Sequence, residues 1–178
     1  MPAMTITEGL AEIKTLNARI LKKRESVVRY LARDSRLKDP MEADGGSVEF
    51  VKRERQAIGD LEERLVVIRC LIQQKNLETP VVVGSTTRSL ASWLNWRREV
   101  SAHSKGFLQT LTNTVNQIRR EALKGGMQIT DKETGQAGEI IVTVNERQLA
   151  KETEEMEQTL GELDGKLSLL NATTTIEI

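Results

Sequence analysis

Seven positions near the end of the chain, Leu149, Thr153, Met156, Leu160, Leu163, Leu167 and Leu170, alternate spacings of four and three without a slip. In an α-helix that rhythm draws one narrow, slowly winding stripe, the seam of a coiled coil. A strand is excluded, because its faces alternate with every residue. A partner helix is required as well, since Gly161 and Gly165 each weaken an isolated helix by about 1 kcal/mol relative to Ala. The two glycines are expected to mark a close helix crossing. The helix is placed at about 146–171, opened by a capping box of Asn145 with Gln148 and ended at Asn171, a residue that tolerates the left-handed conformation of a helix end.

Three further helices follow from the same kind of pattern. The first, about 7–33, carries Ile6, Leu10, Ile13, Ile20, Val27 and Leu31 on one face, with Thr5 or Thr7 as its cap. Pro40 and the Gly45-Gly46 pair break the chain, and Ser47 caps a second helix at about 48–77. Between Leu65 and Ile72 this helix is apolar on most sides, so it is expected to be enclosed by more than one neighbour, with Cys70 buried and inert there. Ser89 caps a third helix, about 89–124, whose stripe is Leu90, Leu94, Leu108, Leu111, Val115, Ile118 and Ala122 around a polar middle at Ser101 and Ser104. Gly125-Gly126 ends it.

The β elements are small. Pro80 ends the second helix, 81–83 read as a strand, and Gly84-Ser85 as a turn. Segments 127–130 and 139–144 read as a hairpin around a polar loop, with Ile140, Val142 and Val144 on its more apolar face. The tail 173–178, "TTTIEI", has high β-propensity, and as a strand it projects Thr174, Ile176 and Ile178 to one side. So short a strand needs a partner. Either the chain's own hairpin or a sheet edge on a neighbouring subunit can supply one, and the second, an assembly clasp, is the favoured expectation.

Charge and composition narrow the function. The chain holds 26 basic and 26 acidic residues and is only 3% aromatic, a mixture suited to long amphipathic helices with no overall attraction to nucleic acid. Residues 1–38 hold nine basic and four acidic residues, whereas the last helix is acidic, so those two helices are expected side by side. No apolar run approaches a membrane span, and the N-terminus lacks the layout of a signal peptide. His103 is the sole histidine, too little for a His-based metal cluster, and nothing beside it offers a strained nucleophile turn. No catalytic, cofactor-binding or metal-ligating residue is therefore assigned. The candidate interaction residues are Trp96, Arg97 and Arg98 at the start of the third helix, where an exposed Trp-Arg patch would be a recognition hot spot, and Thr174, Ile176 and Ile178 in the tail. Trp93 is expected to pack over the strand turn, and Trp96 either covers the hairpin base or stands exposed.

The layout "LAEIKTLNARI", "ERQAIGDLEERLVVIRCLIQQKN", "TTRSLASWLNWRRE" and "IIVTVNERQLAKETEEMEQTLGELDGKLSLLN" resembles small helical proteins encoded in the structural modules of tailed phages. Its helical hairpin, its "SL" helix start after threonines and its terminal "ELD" helix ending at Asn are also similar to the septicolysin-like family. No pore-forming segment accompanies them, so that family's toxin-like name does not carry over. The resemblance to the phage proteins implies a virion-associated role after assembly in the host cytoplasm. The expectation is a mainly α, elongated, coiled-coil-like four-helix bundle forming one domain, with a small β-hairpin and a C-terminal strand. Its expected work is that of a non-enzymatic neck or tail accessory or connector subunit, symmetric in several copies and bound to other structural proteins, without cofactor, nucleic acid or membrane span. The alternative is a soluble cytoplasmic helical binding module or regulator.

Overall fold

The structure, a computed structural model, describes residues 3–130 and 138–177. In chain order its elements are β1 (Ala3–Thr5), α1 (Ile6–Arg29), α2 (Ser47–Glu78), β2 (Pro80–Val83), β3 (Thr86–Ser89), α3 (Leu90–Asn95), a π-helical segment (Trp96–Ser101), α4 (Ala102–Lys124), β4 (Gln128–Thr130), β5 (Glu139–Ile141), α5 (Glu146–Thr173) and β6 (Thr175–Glu177). The protein is mainly α with small β elements, as its periodicity implies. The chain divides into two compact units, Met1–Glu78 with Ser168–Ile178, and Thr79–Leu167.

The first unit is built on α1 and α2. Thr5 opens α1 with a complete capping box: the Glu8 amide donates to its hydroxyl (3.2 Å) and its own amide donates to the Glu8 carboxylate (2.7 Å). The helix ends at Arg29 rather than 33, because its last turn tightens to a bond from the Leu31 amide to the Val28 carbonyl. From Glu12–Arg64 to Lys23–Glu54 the ion pairs run in opposite residue order along the two helices, with Arg24–Glu62 between them on α2, so the helices are antiparallel. These pairs join the basic face of α1 to Glu54 and Glu62 of α2 and the Arg64 guanidinium of α2 to Glu12 of α1.

Ile6, Ile13, Leu16, Ile68, Ile72 and Ile176 form the core of this unit. The buried stripe of α1 is Ile6, Gly9, Ile13, Leu16 and Ile20, whereas Leu10 and Leu31 of the expected stripe are exposed. Gly9 is the close approach of the unit: a Cβ there would lie 3.3 Å from both Ile72 Cδ1 and Ile176 Cδ1. Gly9→Leu is therefore expected to lower stability by about 1–3 kcal/mol through overpacking. Gly9→Ala should be near neutral, since its gain in helix propensity offsets a shift of two side-chain ends. Parallel urea titrations of both variants check this. Gly161 and Gly165, expected at a close helix crossing, stand where an added Cβ would meet open space, so neither marks one.

On α2 only Ile68 and Ile72 of the 65–72 stretch are buried. Val66, Val67 and Cys70 are exposed, which corrects the expectation of an enclosed segment with a buried thiol. Within its unit α2 has one long helical neighbour, so one face suffices. The loop before α2 is gathered by Asp39, whose carboxylate accepts from the Ser47 hydroxyl (2.6 Å), the Ser47 amide (2.9 Å) and the Met41 amide (2.8 Å), with Arg33 alongside. These donors, the Ser47 hydroxyl foremost, hold its pKa down at about 2. Because the folded value lies below the ordinary one near 4, the contribution of Asp39 is complete above about pH 4 and lost as pH falls towards 2. Protection at the start of α2, the exchange rate taken relative to the intrinsic rate at each pH, should fall over that window in the wild type. Asp39→Asn should show low protection throughout, with a flatter pH dependence.

β1 and β6 pair antiparallel, Met4 opposite Ile176, and the Ile6 amide donates to the Thr174 carbonyl (2.9 Å). The tail is thus a fold element joined to the N-terminal strand, which corrects the expected clasp and the expected hairpin partner alike. Nor does Asn171 end the helix: α5 continues to Thr173, and no described residue other than glycine has a positive φ.

In the second unit β2 and β3 form an antiparallel hairpin over Gly84, whose φ of 55° suits glycine. Ser89 caps α3 by accepting from the Ser92 amide. Asn145 caps α5, but Gln148 reaches forward to Glu152 rather than back, so the expected capping box is half formed. β4 and β5 run parallel, Gln128 opposite Glu139 and Thr130 opposite Ile141, which corrects the expected hairpin.

Candidate interaction surface

The third helical stretch and α5 build the surface of the second unit. Trp93 and Ser101 are both buried and eight residues apart, one more than two α-turns bring into line. The π-helical segment between them takes up the extra residue, and the Ser101 hydroxyl donates to the Arg97 carbonyl (2.7 Å). Beyond it, Ser101, Ser104, Leu108, Leu111, Val115, Ile118 and Ala122 alternate three and four, all buried or half-buried. Opposite lies the α5 seam, with Leu149, Leu163 and Leu167 buried. Ion pairs Arg97–Asp164, Lys105–Glu157 and Arg119–Glu146 run in opposite residue order, so these helices too are antiparallel.

Trp93 packs on the hairpin, as expected: its Nε1 donates to the Val81 carbonyl (3.0 Å) and the Arg88 guanidinium lies 4.9 Å from its ring. Trp96 meets it edge-on at 5.5 Å and is half-buried. Arg97 pairs with Asp164, and Arg98 with Glu99 and the Asn95 side chain, so both cations are engaged within the unit. The tip of the hairpin is tied down as well. Glu162 accepts from the Gly84 amide (2.9 Å) and from Lys166, which also donates to the Val82 carbonyl, and these partners, Lys166 first, hold the Glu162 carboxyl below its ordinary range.

Comparison with family models, with curated proteins and with solved structures gives no match.

The two faces of the α4–α5 pair differ. Lys105–Glu157 and Arg119–Glu146 bridge the helices beside one groove. The other groove, about 450 Å³, has an apolar floor of Trp96, Leu108, Leu111 and Met156, and its rim carries Glu152 and Glu155. Among the described residues those two carboxylates find partners only on their own helix, Gln148 and Lys151. Phe107 stands at its lip, 63% exposed. Trp96, expected in an exposed patch with Arg97 and Arg98 or over the hairpin base, lies on the groove floor instead, and Phe107 carried no mark in the sequence beyond its position one residue before the seam leucine Leu108.

Of the tail residues, Thr174 lies in the backbone link to α1 and Ile176 in the core of the first unit, while Ile178 lies outside the described residues. Among the described residues no cluster of His, Cys, Asp and Glu is set to hold a metal, and no helix is long and apolar enough to cross a membrane.

Proposed function

We propose that this protein is a non-enzymatic structural subunit of a larger assembly, a neck or tail accessory or connector component of a phage particle. The observation that carries the structural part is the groove beside Phe107: an apolar channel between two helices, left open and rimmed by carboxylates that do not bridge it. Exposed apolar surface of this kind marks interaction sites, and an antiparallel helix pair accepts a further helix by extending its seam. Support for the phage setting comes from the sequence resemblance alone. Mass spectrometry of purified phage particles from a culture expressing the chain is the test. The chain should be recovered in fixed proportion to the other particle proteins, and its absence would remove the reading.

A further inference from the structure

We infer that the groove beside Phe107 receives the outward face of α1 from a second copy of this chain, an inference that rests on the structural-subunit reading and names its partner. The first unit shows the matching surface. Leu10, Leu21 and Val28 are exposed on α1 at spacings of eleven and seven, which places them on one stripe beside the buried seam. Lys14 follows Leu10 by one turn, and Lys22 and Arg29 each follow a stripe residue by one position, so cations flank the stripe.

Charge, period and length agree. The groove offers Glu152 and Glu155 on its rim, and the stripe offers Lys14, Lys22 and Arg29, for none of which an ion pair is formed among the described residues. Opposite charges across a contact set its partner and register more than its affinity. The seven-residue step from Leu21 to Val28 returns to one face of α1 after two turns, so both residues meet the same groove. From Trp96 to Leu111 the groove floor spans fifteen helical steps, ~22 Å, and from Leu10 to Val28 the stripe spans eighteen, ~27 Å. Phe107, exposed at the lip, is the aromatic anchor for Leu21. Each copy carries one stripe and one groove, so the contact is heterologous, and repetition gives a ring where the rotation closes and a filament where it does not.

Sedimentation velocity of the full-length chain over a concentration series tests this, with Leu21→Glu and Phe107→Glu checked for wild-type helicity by circular dichroism. The wild type should associate beyond a dimer as concentration rises, and more weakly at high salt. Each variant alone should associate at least about tenfold more weakly. Mixed together, the two variants should form a one-to-one dimer and stop there, since Leu21→Glu keeps its groove and Phe107→Glu keeps its stripe. A wild type that stays monomeric at every concentration overturns the inference and assigns the groove to a different protein. Disruption by Phe107→Glu but not by Leu21→Glu also overturns it, since the groove would then pair with itself. A monomeric chain found in phage particles would end this inference and leave the subunit reading standing; a self-associating chain absent from particles would do the reverse.

Discussion

Leu163→Asp is expected to unfold the second unit under conditions where the wild type is fully folded. Leu163 has no exposed surface and sits mid-seam on α5. The substitution removes a buried leucine, worth about 2–5 kcal/mol in comparable cores, and leaves a carboxylate that must be protonated or hydrated at a further cost of several kcal/mol. The sum rivals the ~5–15 kcal/mol that holds an ordinary domain together. The readout is specific, because the protein's two tryptophans, Trp93 and Trp96, both lie in this unit. Tryptophan emission during urea titration should shift to much lower denaturant in the variant, or begin already unfolded. Leu169→Asp on the same helix, at an exposed position, should stay within about 0.5 kcal/mol of wild type. Equal transitions for Leu163→Asp and wild type would mean that the seam faces solvent.

How much was legible depended on what each position writes into the sequence. The α5 seam was readable because aliphatic residues at heptad spacing admit one interpretation, and Leu149, Leu163 and Leu167 are buried where that rhythm puts them. Ser89, Thr5 and Gly126, the last with a φ of 68°, act at helix ends for chemical reasons visible in the residue itself. Gly9 was not readable, since a glycine on a buried stripe carries no hydrophobic signal, and the stripe was drawn through Leu10 instead. The β1–β6 pair was hidden because three-residue strands carry almost no register information. Exposed Val66, Val67 and Cys70 were misread because an apolar run shows what a helix could bury, and the number of neighbours decides what it does bury. At the candidate surface, Trp96 was found from its residue type, but the acids on the rim looked like any solvated face until α4 lay beside them.

The tail gives the second large effect. Ile176 is 1% exposed, and its Cδ1 fills the space over Gly9 next to Ile72. Ile176→Ala is expected to destabilise the first unit by about 2–5 kcal/mol, because neighbours fixed on two helices and a strand cannot collapse into the gap. Deleting 175–178 should cost more, since it also strips the Ala3–Thr5 backbone of its partner strand and uncovers Ile6. The link to α1 makes the loss local and readable: the Ile6 amide is held by the Thr174 carbonyl at the first turn of that helix. Hydrogen exchange resolved by peptide should therefore show lost protection at the start of α1 and around Ile68 and Ile72 in both variants. A tail that served only to grip a neighbouring subunit predicts the opposite, unchanged exchange in the isolated chain. Wild-type protection of those segments after deletion would restore that reading, and would require that Ile176 contribute nothing to the core in which it lies.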